Sequence, residues 1–351
     1  MSVKMTERNT TQGQTLMRMV LEVSMISIKL ISICVVLVVL SFSKNAIAAD
    51  GSKKLTLVRM GLAARSTTSM PYFVAKERGF FREEGLEVEL IVMRAIQTVQ
   101  ATLGNSTQFA SATGSAVAAA VRGADIRVVL AVTDQPSFDL IVQPEIASVQ
   151  QLRGKKIGTS GVGSLAEILA RRILIANNVR PEDVTIIATG PSHVTYTALK
   201  AKVIDAAPLQ MPLTFTAQDE GFRKLVSAAD VYRSVQGGLA TTKAMLTEQP
   251  ELVTKVVRAM LKAMRLIKND RQYAIDFLKG PLVDIGKDPE KIASRVYEIA
   301  GPALLEDGTV SEEIQRQMIA DASERVKPKQ PVLPEQVFDF SFAHKIARTL
   351  K

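Results

Sequence analysis

The stretch Gly154–Leu174, GKKIGTSGVGSLAEILARRIL, runs from strand to turn to helix without a spacer. Lys156, Ile157 and Gly158 read as a short strand. Thr159 to Gly163 is too glycine-rich for regular structure. Leu165, Ile168, Leu169, Ile173 and Ala176 then share one helical face. Ser164 followed by Glu167 is a capping box, which makes Ser164 the N-cap. Asn177 and Asn178 close the helix, and Pro181 prevents its continuation. A glycine turn at a helix start offers unpaired N–H groups and the positive end of the helix dipole, which together suit an anion. The spacing Gly158-x-x-x-x-Gly163 fits a nucleotide P-loop, but Ser164-Leu165 stands where Lys-Ser or Lys-Thr belongs. The glycine order also fails the dinucleotide fingerprint. A plain strand-to-helix turn with a capped helix accounts for the same residues.

Around this stretch lies a chain of 351 residues, enough for two ordinary lobes. Lys29 precedes an apolar run, Leu30 to Phe42, and Ala46-Ile47-Ala48 supplies small residues at a cleavage spacing, so residues 1–49 read as a secretory signal peptide. The run is short for a membrane helix. The polar lead before it points to a start at Met17, Met19 or Met25. Cys34 is the one cysteine and follows Ile33, not the small residue a lipoprotein site needs. Cleavage leaves no thiol, which excludes disulfides, cysteine nucleophiles and Cys-metal sites. Residues 1–49 hold five of the 44 Lys/Arg and two of the 35 Asp/Glu, leaving 39 and 33, a net charge of +6. These charges are dispersed and lack the basic stripe of a nucleic-acid interface.

Strand and helix patterns alternate from Leu55. Leu55–Gly61 reads as a strand. Ser69 and Pro71 open a helix that Gly79 ends. Leu86, Val88, Leu90 and Val92 form a second strand, and a helix follows over 95–103. Phe109–Thr113 reads as a short strand before an alanine-rich helix to Val121, and Ile126–Val132 is another strand. After Pro136 a second block starts with Phe138–Val142. It continues through strands near 156–159 and 184–188, a helix near 192–201 and a strand over Ile204–Ala207. Gln236-Gly237-Gly238 marks a return crossing, and Pro250–Lys351 is mainly helical and packs on the first block. Such βα alternation gives mostly parallel sheets that bind ligands beyond the carboxyl ends of their strands.

Three stretches carry a family resemblance: Pro71-Tyr72-Phe73-Val74-Ala75-Lys76-Glu77-Arg78-Gly79-Phe80-Phe81 on to Glu84-Gly85-Leu86-Glu87-Val88; Gly154–Gly158 with Gly163-Ser164; and Ala198-Leu199 through Ile204-Asp205-Ala206. They resemble the periplasmic solute-binding proteins of ABC importers of the nitrate/sulfonate/taurine type, a family that includes a thiamine-pyrimidine synthase. Gln108 stands where that family commonly has Asp, and Lys202 where it commonly has glycine, which implies altered packing at two sheet edges. The resemblance implies an α/β type II periplasmic binding fold, with two lobes, a two-strand hinge and a ligand clamped between. Lobe one is expected over 53–134 and 240–351, and lobe two over 135–239. It further implies a periplasmic monomer that needs no cofactor and delivers a small anionic solute to an ABC permease in the inner membrane. The alternatives are a pyrimidine-synthase-like enzyme, which the absent mature cysteine disfavours, and the binding module of a sensory system.

Ser66, Thr67, Thr113, Ser115, Ser160 and Ser164 are the candidate hydrogen-bond donors to ligand, although each can equally be a cap or turn residue. Arg65 can fork onto a carboxylate or sulfonate, or sit solvated in its loop. Tyr72 can line the cleft or belong to the core. Gln210 is the candidate from the opposite lobe. His193 and His344 belong to no ligand-spaced motif, and Glu83-Glu84 reads as a solvated face.

Overall fold

The computed structural model describes residues 55–280 and 288–350, apart from position 162. The leader and its candidate start sites lie outside the described residues. Leu55–Lys351 form one compact unit. Its first part contains β1 (Thr56–Leu62), α1 (Met70–Glu77), α2 (Phe80–Glu83), β2 (Leu86–Val92), α3 (Ala95–Leu103), β3 (Phe109–Ala110), α4 (Thr113–Val121) and β4 (Ile126–Thr133). Next come β5 (Phe138–Val142), β6 (Lys156–Thr159), α5 (Leu165–Ala176), β7 (Thr185–Ala188), α6 (Ser192–Lys200), β8 (Ala206–Gln210), α7 (Leu213–Asp219) and β9 (Arg223–Ser227). The chain returns in β10 (Gln236–Thr242) and ends in α8 (Lys243–Glu248), α9 (Pro250–Asn269), α10 (Arg271–Leu278), α11 (Pro289–Ala300), α12 (Glu312–Val326) and α13 (Ser341–Ala347).

Two five-stranded sheets result, with orders β2-β1-β3-β10-β4 and β7-β6-β8-β5-β9. Strand β2 shows why alternating residues settle there. Leu86 and Val88 are buried while Glu89 faces out and pairs with Arg59 of β1 at 2.9 Å. In α9, Val253, Val256, Val257, Met260, Leu261, Met264 and Ile267 form one buried stripe against the first lobe. The tail also covers the outer edge of β4: Val128 and Asp339 exchange backbone bonds with Val337 and Val128, and Leu305 N–H donates to Val132. An otherwise open strand edge is thereby closed.

Several boundaries differ from the sequence reading. Strand β3 stops at Ala110 because Thr113 N–H turns back onto the Ser111 carbonyl and begins α4. Strand β8 continues past Pro208 to Gln210, held by its antiparallel ladder with β5. Ser69 does stand at the start of α1, but its hydroxyl bonds the backbone of Ser66 instead of capping that helix. Glu83 does stay on the surface, its side chain 53% exposed, whereas Glu84 is largely covered at 10%. They pair with Lys262 at 2.8 Å and Arg258 at 2.7 Å, one turn apart on α9.

The two departures from the family pattern have simple accounts. Asp205 accepts from Lys156 N–H at the start of β6 at 2.8 Å, and Gln108 accepts from Arg59 N–H in β1 at the same distance. The longer amide thus does the carboxylate's work and the packing is kept. Lys202 has φ 56°, a left-handed conformation that explains why glycine suits the position.

The β4–β5 connection and the segment before β10 run side by side. Ser234 N–H donates to Asp134 O at 2.9 Å, Arg233 pairs with Asp134 at 3.1 Å, and Gln236 sits opposite Thr133. These paired crossings are the two-strand hinge. Strand β4, parallel to β1 and β3 because β10 opposes both β3 and β4, delivers the chain to the hinge at its carboxyl end. Strand β5 leaves the hinge with Phe138 opposite Gln210, the carboxyl end of β8, which is parallel to β6 and through it to β7. The carboxyl edges of both sheets therefore face one hinge.

Candidate functional site

On the first sheet's hinge edge, the β1 and β3 turns are bound together. Ala63 N–H donates to Ser111 Oγ at 2.8 Å. Both turns pack on the start of β10: Gly237 lies against the Thr68 backbone, and Gly238 against Thr113 Cγ2. The Tyr72 hydroxyl donates to the Gly238 carbonyl and Thr113 Oγ1 to the Val235 carbonyl at 3.2 Å. Burial holds the Tyr72 hydroxyl well above the ordinary tyrosine range, so it stays a proton donor.

These contacts alter the roles of several candidates. Tyr72 is 1% exposed and Thr113 3% exposed. Both are buried and spend their hydroxyls on backbone carbonyls at the start of the returning strand. Thr67 is also buried; the residue borders a small recess with Met70, Pro71, Ile267 and Val296, and among the described residues its hydroxyl has no hydrogen-bond partner. Ser66 is buried, its amide given to Ser69 Oγ and its hydroxyl 3.0 Å from that of Thr68. Arg65 is exposed and turned aside. Its guanidinium stacks 5.5 Å over Phe73 and borders a recess of about 500 Å³ with Lys76, Glu77, Tyr273, Asp276 and Phe277. Ser115 remains half-exposed beside exposed Gly114 at the start of α4. Among the described residues the amides of Gly114 and Ser115 donate to no backbone carbonyl.

On the second sheet's hinge edge, Ser160 is exposed and Gln210 half-buried. Ser164 is the N-cap of α5 and accepts from Glu167 N–H at 3.3 Å. Glu167 in turn accepts from Gly163 N–H at 2.5 Å and pairs with Arg171 at 3.0 Å, while Ser164 N–H donates to Gly161. The opening loop therefore spends two of its amides internally and brings its own carboxylate to the helix start. That corrects its reading as a bare anion cradle, since an anion there would meet Glu167. The sequence reading passed over a neighbour. Thr189-Gly190-Pro191-Ser192-His193 leaves the carboxyl end of β7 in the same strand–glycine–serine–helix pattern, and Thr189 N–H donates to Thr159 O at 2.8 Å. Ser192 is half-exposed and His193 exposed at the start of α6.

The lobes also touch through α7 and α11. Asp219 at the end of α7 pairs with Lys291 at 3.2 Å and Arg295 at 3.1 Å on α11. Both cations hold its carboxyl below the usual carboxylate range. The Arg295 guanidinium also lies 4.2 Å from the centre of the Phe215 ring. Among the described residues, no group of three or more His, Cys, Asp or Glu side chains is placed to hold a metal ion, and no helix is long and apolar enough to cross a membrane.

Two α/β lobes hinged so that both carboxyl edges meet define the periplasmic binding fold. A solved neighbour is the alkanesulfonate-binding protein SsuA of Xanthomonas axonopodis pv. citri bound to MOPS. It has a TM-score of 0.65 at 19% identity, over 82% of this chain and 99% of that one. The desulfurization enzyme DszB has a TM-score of 0.63 at 13% identity, over 84% and 100%. Among curated proteins, the riboflavin-binding protein RibY of Chloroflexus aurantiacus is 27% identical over 201 residues, 55% of this chain and 57% of that protein. The chain thus spans little more than half the length of this relative. The NMT1/THI5-like family model matches residues 66–274, and the chain belongs to that family.

Proposed function

We propose that this protein is the extracytoplasmic solute-binding component of an ABC importer, and that it clamps a small solute between its lobes without turnover. In this reading residues 1–49 direct export and are removed. Lobe one comprises 53–134 and 240–351, lobe two comprises 135–239, and the monomer hands its closed form to the permease. The observation that carries the reading is the shared hinge edge: four strand-to-helix turns lie on the carboxyl edges of two sheets that one pair of crossing strands joins. Hinge closure serves capture only if the solute contacts both lobes better when they meet.

The contacts we assign are the amides of Gly114 and Ser115 with the Ser115 hydroxyl on lobe one, and Ser160, Ser192, His193 and Gln210 on lobe two. Free amides at the start of α4 suit an anionic or carbonyl oxygen. The α5 start, filled by Glu167, suits a neutral or donor group. The solute is accordingly polar at one end and uncharged at the other. Support also comes from relatives that bind an alkanesulfonate and riboflavin. The test is a thermal-shift panel on residues 50–351 with MOPS, alkanesulfonates, nitrate, bicarbonate, carboxylates, riboflavin and pyrimidines. A ligand at a hundredfold excess over its Kd stabilises by about 2.7 kcal/mol. No shift with any of them, or consumption of one, would overturn the reading. DszB makes that turnover control necessary, because the same fold carries an enzyme.

A further inference from the structure

Helix α12 belongs to the first lobe by its apolar side. Met318, Ile319 and Ala322 share a core with Val117 and Val121 of α4. Its polar side looks elsewhere. Gln317, Asp321 and Arg325 are spaced four residues apart and so lie along one helical line. Gln317 Nε2 donates to Arg233 O at 2.9 Å, on the hinge crossing. The neighbouring Met318 sulfur lies 3.3 Å from Val235 N, two residues further along that crossing. Asp321 accepts from Arg172 of α5 and from the Tyr232 hydroxyl, and the Arg172 guanidinium also lies 5.8 Å from the centre of the Tyr232 ring. Arg325 Nη1 donates to Gly163 O at 3.2 Å, in the glycine turn itself.

A single rigid helix therefore touches the helix that carries Gly114 and Ser115, the hinge strand, and the turn that carries Ser160. We propose that the Gln317–Asp321–Arg325 line is an interlobe clasp. It sets the angle between the lobes and holds the glycine turn in register with the start of α4. These three are positioning residues, since none is assigned a contact with solute. The inference rests on the clamp reading above, but it concerns the unliganded molecule and can be tested without knowing the solute. The Asp219 bridge to α11 is a second, separate tie, so loss of the clasp loosens the lobes without separating them.

The mature chain lacks cysteine, so a spin-label pair can be introduced at Ile96→Cys on lobe one and Val203→Cys on lobe two, residues 58% and 57% exposed. Double electron–electron resonance on residues 50–351 without added ligand should give one narrow distance distribution in the parent. Asp321→Asn and Arg325→Ala should each shift and broaden it, and Arg325→Lys, which keeps a donor, should restore it. Arg325 is exposed and belongs to no core, so its variant folds even if Asp321→Asn does not. Distributions that superimpose on the parent in Arg325→Ala, and in any Asp321→Asn that folds, would overturn the clasp. A shifted distribution together with no solute found in the panel would keep the clasp and remove the transport reading.

Discussion

The hinge strand gives the sharpest quantitative test. A Cβ built on Gly238 falls 2.1 Å from the Leu130 carbonyl oxygen, 3.0 Å from Leu130 C and 3.1 Å from Thr113 Cγ2, where ordinary contact begins at 3.4 Å. The nearest obstacle is backbone in the neighbouring strand β4, not a side chain that can swing away. Close-packed interiors do not absorb such a displacement freely. Gly238 also has φ 143°, which L residues rarely adopt. Overpacking costs about 1–3 kcal/mol and a sparsely populated backbone about 1–3 more, so Gly238→Ala should destabilise by about 2–6 kcal/mol. A domain of ordinary stability has about 5–15 kcal/mol to lose. Gly79→Ala is the control: φ is 75° but nothing lies within 4 Å of the added carbon, so only the backbone cost of about 1–2 kcal/mol applies. Urea unfolding of residues 50–351, followed by circular dichroism, measures both. A Gly238→Ala loss no larger than that of Gly79→Ala would refute the close approach of β10 to β4.

Three further outcomes follow from the same geometry. Tyr72→Phe leaves the Gly238 carbonyl without its donor and should cost about 1–3 kcal/mol in urea unfolding; a fall in solute affinity with stability intact would return Tyr72 to the cleft wall. Ser164→Ala removes the α5 cap and should cost about 1 kcal/mol by calorimetry, and an unchanged melting point would mean that Glu167 alone closes that helix. The Asp219 bridge has a signed pH dependence. Its folded carboxyl sits below the ordinary value of about 3.9, so the stabilisation is present above that value and lost as pH falls through the lower, folded one. The melting difference between the parent and Asp219→Asn should be constant near neutrality and close in acid, and a difference that widens on acidification would contradict the assignment.

Much of this fold was legible because strand and helix periods are local properties. The alternation in Leu86–Val92, the stripe in Pro250–Asn269 and the Ser164 cap could be read without any partner. Errors arose where the deciding contact was distant in sequence. Glu84 looked solvated because Arg258 lies far along the chain. Gln108 read as altered packing because the Arg59 amide it accepts from is invisible to local inspection. The candidate site suffered most. A hydroxyl reads the same in sequence whether it is exposed or spent on a buried carbonyl, so Tyr72 and Thr113 could not be told from the more exposed Ser115 and Ser160.

The sequence by itself determined the elements, their order and the family, because hydrophobic period, turn glycines and motif spacing act over a few residues. Only the tertiary structure decided which turns share an edge and which side chains are spent bracing it. Those outcomes depend on strand order and on hydrogen bonds between residues far apart, such as Thr113 to Val235 and Arg325 to Gly163, whose geometry exists only once the chain has returned through the hinge.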